Sequence, residues 1–378
     1  MPMLSVRSTL HDQIWRFLKG EYLVVPAKAF EHLSYRGQIP RLRNLAERAV
    51  TRYGLCDTTI DLLTHRENTT FRVTIPQESR HNNDNLGGKN GSTKFVLRLY
   101  GPVAPNPAMI RSELLWLAAI RRDTDLVVPE PVSAQDGSLL TQVSDEGIPE
   151  PRLCVLFHWV EGRFMNARLT PASIEQVGMC LGRLHQHGEH FVPPADFVRP
   201  HLEWTRVFGQ GTVADPAFVA EKGNGLISQN EIALFKAIAE KVRAEMQAIP
   251  QNEANHGLIH GDFQQTNYLF HKGEVRVIDF AECGWGYYLF DIAKALARFE
   301  IEGGHRRANP AMRDAFFKGY ERIRPLRTLY EQHLQVFLAI RFMTTMNYLL
   351  RSANPYIRAE APVWIPRFVN WLRRFLDS

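Results

Sequence analysis

A chain of 378 residues, 45% hydrophobic and 22% charged, has enough apolar material for a large buried core, and its length suits two or three lobes. That composition excludes a disordered or fibrous protein, and no apolar run approaches membrane-spanning length. The net charge of +5 is a mild excess, carried partly by the scattered pairs Arg121-Arg122, Arg306-Arg307 and Arg373-Arg374; without interleaved aromatics these indicate neither a nucleic-acid nor a membrane partner.

Cys56, Cys154, Cys180 and Cys283 are widely spaced and form no Cys-x-x-Cys pair, so reduced, buried thiols are expected. Met1 to Trp15 shows no basic-then-apolar leader pattern, and a cytoplasmic location is expected.

In chain order, residues 1–57 read as an N-terminal helical extension, with an amphipathic helix over Leu42–Tyr53 ending at Gly54. Strand character begins at Thr58, runs through Asp61-Leu62-Leu63 and resumes over Thr70–Ile75 before Pro76. Gln77–Thr93 is almost wholly polar and reads as a mobile hairpin loop. Its Gly88-Lys89 is no phosphate loop, because the glycine spacing is wrong and Asn90 stands where Ser or Thr is needed. A strand over Lys94–Tyr100, a helix over Ala108–Arg121 and a strand over Arg152–Val160 follow, the last ending at Gly162. Helical periodicity then dominates over Ser173–Gln186, Ser228–Ala248, Leu289–Phe299, Met312–Tyr320, Leu329–Leu350 and Trp364–Phe375. The division expected is an extension (1–57), a strand-rich N-lobe (58–157) and a helix-rich C-lobe (158–378), with a cleft between the lobes.

The chemistry-bearing stretches lie in that second part. His260-Gly261-Asp262 is followed by Asn267, and Val277-Ile278-Asp279-Phe280 comes soon after. An aspartate, an asparagine five residues on and a second aspartate after an apolar run form a phosphoryl-transfer set. Asp262 would orient an attacking hydroxyl and take its proton, while Asn267 and Asp279 offer oxygen ligands to the magnesium of a nucleotide triphosphate. Tyr268-Leu269-Phe270 and Val275–Ile278, turning at Lys272-Gly273, form a hairpin that brings Asp279 beside the loop.

The spacing resembles the catalytic loop of protein kinases, with Gly261 in place of their usual Arg and Ala281 after the Asp-Phe pair in place of Gly. It is similar to the His-Gly-Asp-x-x-x-x-Asn pattern of the aminoglycoside phosphotransferase and choline kinase group, and Cys283–Tyr287 resembles the same segment in homoserine-kinase-like and stress-response-kinase-like members. The resemblance implies an α+β, protein-kinase-like two-lobe fold with a small antiparallel-sheet N-lobe and a larger, mainly helical C-lobe. It also implies ATP and Mg2+ as cofactors and transfer of the γ-phosphate to a hydroxyl of a small molecule: an amino alcohol, homoserine-like compound, sugar or aminoglycoside. A protein Ser/Thr kinase and a non-catalytic nucleotide-binding module remain the alternatives. The short interval from Asp279 to Asp291 and the lack of an Ala-Pro-Glu signature oppose the first; the intact Asp262, Asn267 and Asp279 oppose the second.

Residue by residue, the resemblance puts Val96 above the adenine, Arg98 where kinases carry the phosphate-binding lysine, and Glu113 as its helix partner. Asn68 and Thr69 fall in the first hairpin, which covers the phosphates, and the His158 carbonyl and Val160 amide fall at the adenine-reading hinge. Asp291 and His260 are expected to brace the loop. His185, His187 and His190 read as surface or loosely packed residues, and Glu282 reads as a solvated loop carboxylate with an amine-bearing substrate as its other possible partner.

Overall fold

The computed structural model describes residues 29–76, 93–102, 106–165, 169–202, 208, 211–223, 225–301, 309–325, 328–352 and 354–377. The loop assigned to Gln77–Thr93 falls, but for Thr93, outside the described residues, as do Arg306-Arg307.

The first helix, α1 (Tyr35–Arg52), starts where the Ser34 hydroxyl accepts from the Gly37 amide. Strands β1 (Thr59–His65), β2 (Thr69–Thr74) and β3 (Lys94–Leu99) follow, then helix α2 (Pro107–Asp123), capped by Asn106 with Pro107 at its first position. β4 (Thr141–Val143) and β5 (Arg152–His158) complete an antiparallel sheet of order β1-β2-β3-β5-β4.

Alternation along β3 decides what the sheet does. Phe95, Leu97 and Leu99 point to one face, where with Phe71, Val73, Cys154 and Leu156 they pack against Leu42, Leu45, Ala46 and Ala49 of α1. The helix of the N-terminal extension therefore shares one core with the sheet. On the other face, Val155, Phe157 and Tyr100 join Ile110 and Leu114 of α2 in the large core of the C-lobe. Arg98 belongs to that second face and points toward the lobe junction.

The C-lobe contains α3 (Pro171–His190), α4 (Pro216–Lys222), α5 (Gln229–Ala248), β6 (His256–Ile259), β7 (Tyr268–His271), β8 (Glu274–Val277), β9 (Gly284–Tyr287), α6 (Tyr288–Glu300), α7 (Pro310–Glu321), α8 (Thr328–Arg351), α9 (Pro355–Arg358) and α10 (Ala361–Asp377). β7 and β8 form the expected hairpin, and β6 pairs with β9. β4, β9, α4 and α9 are too short for periodicity to announce them. Among the described residues no helix is long and apolar enough to cross a membrane.

α3 and α7 cross in backbone contact. A Cβ on Gly178 would lie 2.0 Å from the Phe316 carbonyl oxygen, and one on Gly319 would lie 1.9 Å from that of Glu175. Gly319→Ala must push the helices apart and is expected to cost about 1–3 kcal/mol, the usual penalty for overpacking. Urea unfolding should show an earlier midpoint with an unchanged slope; an unshifted midpoint would mean that the crossing opens freely.

Candidate active site

The catalytic loop leaves β6 at Ile259 and is held from behind by a single carboxylate. Asp291, in the first turn of α6 and fully buried, accepts from the amides of His260 (2.8 Å) and Gly261 (2.9 Å). Gly261 has φ +76°, and a Cβ there would fall 2.1 Å from the Glu282 carbonyl oxygen. The arginine that protein kinases carry has no room at this position, which explains the departure in the sequence.

His260 is also fully buried. Its Nδ1 accepts from the Asp262 amide (3.2 Å), so Nε2 carries the proton and donates to the Ile278 carbonyl (3.1 Å). The Ile278 amide in turn donates to the Asn267 carbonyl (2.9 Å). These bonds lace the loop to the end of β8, where Asp279 follows. His260 is thus a brace for the loop.

Asp262 Oδ2 accepts from Asn267 Nδ2 (2.6 Å) and Gln264 Nε2 (2.9 Å), and Oδ1 pairs with Lys294 Nζ at 2.8 Å. Burial works to raise the pKa of this carboxyl, but the charges of Lys294 and Arg341 outweigh it and hold the pKa below its ordinary value. Asp262 is therefore ionised near neutrality, the state a proton acceptor needs. Because Asn267 turns its NH2 group to Asp262, its amide oxygen is left for a ligand, with only a long 3.4 Å contact from Thr266.

Asp279 sits in the left-handed region (φ 65°), which aspartate tolerates better than most residues. Its half-exposed carboxylate lies 3.1 Å from Arg98, while the other arm of Arg98 reaches Glu113 at 2.8 Å. Burial disfavours the Arg98 charge, but Glu113, Tyr100 and Asp279 more than compensate, so the guanidinium stays charged in its buried setting. The sequence-derived trio of Arg98, Glu113 and Asp279 is brought together. The amide oxygen of Asn267 and the second oxygen of Asp279 have the hard-donor chemistry that magnesium takes when phosphates supply its other ligands.

The remaining candidates divide. Val96 pairs with Phe157 across β3 and β5, and Phe95 with His158, so Val96 and the end of β5 that carries His158 are neighbours in the sheet. The His158 amide donates to the Glu130 carbonyl (2.8 Å), and Val160 follows two residues beyond the end of β5. Asn68 Oδ1 accepts from the Gly101 amide (3.3 Å), and the buried Thr69 hydroxyl bonds His65 Nδ1 (2.9 Å). Both side chains have protein partners that fasten the β1–β2 turn.

The histidines of α3 differ from expectation. His185 is fully buried and His187 nearly so; only His190 is exposed. His185 lies 2.8 Å from the Tyr320 hydroxyl and 3.4 Å from Asp291, and burial lowers its pKa. His187 accepts from the Trp116 indole. A surface reading fails because α3 is packed by α7 on one side and by β6 and α2 on others. No group of three or more His, Cys, Asp or Glu able to hold a metal occurs among the described residues.

Beside the catalytic loop opens a cavity of about 530 Å3, walled by Gly261, Lys294, Glu67, Glu282, Tyr35 and Tyr348 among others. Glu282 is exposed, and the space it faces is this cavity. Sequence reasoning missed Lys294, although it follows Asp291 by three residues and so shares its helical face. It also missed Gln264 and Arg341, which meet at 2.7 Å, since nothing local announces that α8 returns to the loop.

A lobe junction organised in this way is that of the kinase-like phosphotransferases. Residues 65–326 match the model of the phosphotransferase enzyme family, and the chain belongs to that family. It is 27% identical over 251 residues to an uncharacterised protein of Synechocystis sp., the match covering 66% of this chain and 65% of the relative, just under two thirds of the latter. In fold it is similar to a microcompartment-associated aminopropanol kinase (TM-score 0.72, 24% identity, 89% of this chain and 98% of the other). It is similar too to an amicoumacin kinase solved with AMP-PNP and Ca2+ (TM-score 0.67, 17% identity, 89% and 93%).

Asp291→Ala would strand two buried loop amides, at about 1–3 kcal/mol for each unsatisfied donor. Thermal unfolding should shift down accordingly, and amide exchange at His260 and Gly261 should accelerate. Unchanged exchange at those two positions would show that the loop holds itself.

Proposed function

We propose that the chain transfers the γ-phosphoryl group of ATP to a hydroxyl of a small, amine-bearing molecule. The observation that carries this reading is the double ion pair of Arg98, which joins Glu113 of the N-lobe to Asp279 of the C-lobe at the mouth of the catalytic loop. A buried cation fixed at that point suits the α- and β-phosphates of a nucleotide whose adenine lies under Val96, against the His158 carbonyl and Val160 amide.

Asn267 and Asp279 are the residues to hold magnesium, which when bound neutralises charge on the phosphate oxygens. Asp262 accepts the proton of the acceptor hydroxyl as its oxygen attacks the γ-phosphorus in line with the departing ADP. The Thr69 hydroxyl is tied to His65 and the Asn68 Oδ1 to the Gly101 amide, so in the first hairpin the Asn68 Nδ2 and the backbone amides are donors left to meet the phosphates.

Two features favour a small acceptor over a protein. The chain between Asp279 and Asp291 is taken up by a tight turn and β9, which pairs directly with β6, so no activation segment intervenes. The acceptor space is also a half-open pocket of about 530 Å3, a volume that suits a small molecule. The carboxylates of Glu67 and Glu282, with the rings of Tyr35 and Tyr348, offer partners to a cationic amine within a lining that also carries Arg66, Lys294 and Arg351. The similarity in fold to an aminopropanol kinase accords with that choice.

The deciding experiment incubates the protein with labelled ATP, magnesium and a panel of amino alcohols, sugars and aminoglycosides. Label should pass to at least one amine-bearing alcohol; no transfer to any acceptor, with no MgATP binding by calorimetry, would overturn the reading. Asp262→Ala should leave nucleotide affinity nearly intact and lower turnover by about 10²–10⁴. Glu282→Gln should raise the acceptor KM while leaving that for ATP unmoved. ATP affinity should fall sharply with chelator or with Asp279→Asn, and equal affinity with and without magnesium would remove the metal from the scheme.

A further inference from the structure

Asp262 can take only one more hydrogen bond, and the place where it can take it is already marked by a cation. An ionised carboxylate has about four lone-pair sites, two on each oxygen. Asn267 and Gln264 occupy both sites on Oδ2, and Gln264 is itself held by Arg341 at 2.7 Å. Oδ1 is engaged once, by Lys294 at 2.8 Å, so the acceptor hydroxyl must meet Asp262 at Oδ1, beside the Lys294 ammonium. Lys294 donates also to the Gly261 carbonyl, which leaves the third of its N–H groups, and its side chain lines the acceptor cavity.

We infer that Lys294 is a further catalytic residue, whose ammonium contacts the transferring phosphoryl group where the acceptor oxygen attacks. The inference rests on the reading of Asp262 as the base. In the step, the acceptor hydroxyl gives its proton to Asp262 Oδ1 while its oxygen bonds to the γ-phosphorus. The bond from that phosphorus to the bridging oxygen breaks, and ADP leaves with the electron pair. Lys294 remains an ammonium throughout and donates a hydrogen bond to a non-bridging phosphoryl oxygen. A fixed donor of this kind in a site shielded from water is worth roughly 10²–10³ in turnover.

The location of Lys294 on α6 supports a designed placement. Asp291 and Lys294 lie one turn apart, the first gripping the loop amides from behind and the second reaching the loop from the cavity side. With side-chain exposures of 11% for Lys294 and 22% for Asp262, the pair is partly shielded from water, where charge–charge contacts count for more than at an open surface.

The test measures ADP release from MgATP with ethanolamine, 1-amino-2-propanol or water as acceptor, alongside MgATP affinity and the thermal midpoint, for K294M, K294Q, K294R, D262N and K294M/D262N. K294M and K294Q should lower kcat by roughly 10²–10³ with MgATP affinity within about two-fold of the parent protein. K294R should recover at least about ten-fold of the loss, and the double variant should be little worse than D262N, because both residues act on one event. K294Q keeps a hydrogen-bonding group for the Gly261 carbonyl and covers the case in which K294M does not fold. Turnover by K294Q within about three-fold of the parent protein, with D262N inactive, would overturn the inference and leave the base in place. Equal turnover by D262N and the parent protein would overturn the reading of the site itself. Joint loss of nucleotide affinity, thermal midpoint and activity in K294Q, without recovery in K294R, would make Lys294 a structural prop and defeat the proposal.

Discussion

The structure turns on one guanidinium. Arg98 is buried, and a buried charge is tolerable only when its partners are in place. Glu113 alone would balance it within the N-lobe, but the planar fork has a second arm, and that arm is met by Asp279 from the C-lobe. A lysine would give one point charge to share between the two carboxylates; an arginine can bind both at once in fixed geometry. The relative setting of the lobes and the location of Asp279 are therefore linked through one side chain. Because Asp279 is half exposed, that arm of the link is weaker than the Glu113 arm, and bound phosphates can compete for it.

The second organising element is α6. Its first turn is buried, and Asp291 there points back at the two amides that begin the catalytic loop. A negative charge near a helix N-terminus is favoured by the helix dipole, so the anchor is stabilised by the helix that carries it. His185 and Tyr320 extend the same network into α3 and α7, whose glycine-mediated crossing fixes their separation. The buried histidines of α3 are thus part of the scaffold that holds the loop.

Much of this was legible in the sequence because it is local. The spacing of Asp262, Asn267 and Asp279, the β7–β8 hairpin and the alternation that puts Val96 and Arg98 on one face all follow from patterns a few residues long. What was not legible depends on distant segments meeting. His185 and His187 stand two apart on a helix and looked unable to share a buried face, yet α3 is packed on several sides and buries both. Asn68 and Thr69 read as phosphate contacts from the resemblance of their segment to the family's first hairpin; in the fold the Thr69 hydroxyl is bonded to His65, while the Gly101 amide takes only the Oδ1 of Asn68. The residues around Asp262 that set its charge state come from α6 and α8, and only the first lay within reach of a local rule.

The residues matched by the family include the phosphoryl-transfer set and part of the cavity lining, and the rest of the lining falls outside them. Arg98, Glu113, Asp262, Asn267, Asp279 and Asp291 all fall within residues 65–326. The far wall of the cavity does not: Tyr35 comes from α1, and Tyr348 and Asn354 come from the end of α8 and the turn after it. These outlying segments also fasten one another. The Tyr35 ring stacks on His65 with centroids 4.1 Å apart, and the Asn354 amide reaches the Tyr35 hydroxyl at 2.9 Å, so N-terminal helix, sheet and C-terminal helices meet at one point. Burial, with Glu67 adding to it, pushes the neighbouring Tyr348 hydroxyl up to about 12, so it stays protonated and donates to the Glu67 carboxylate. Substitutions in this wall would leave the phosphoryl-transfer groups untouched while altering the space and polarity of the cavity beside them.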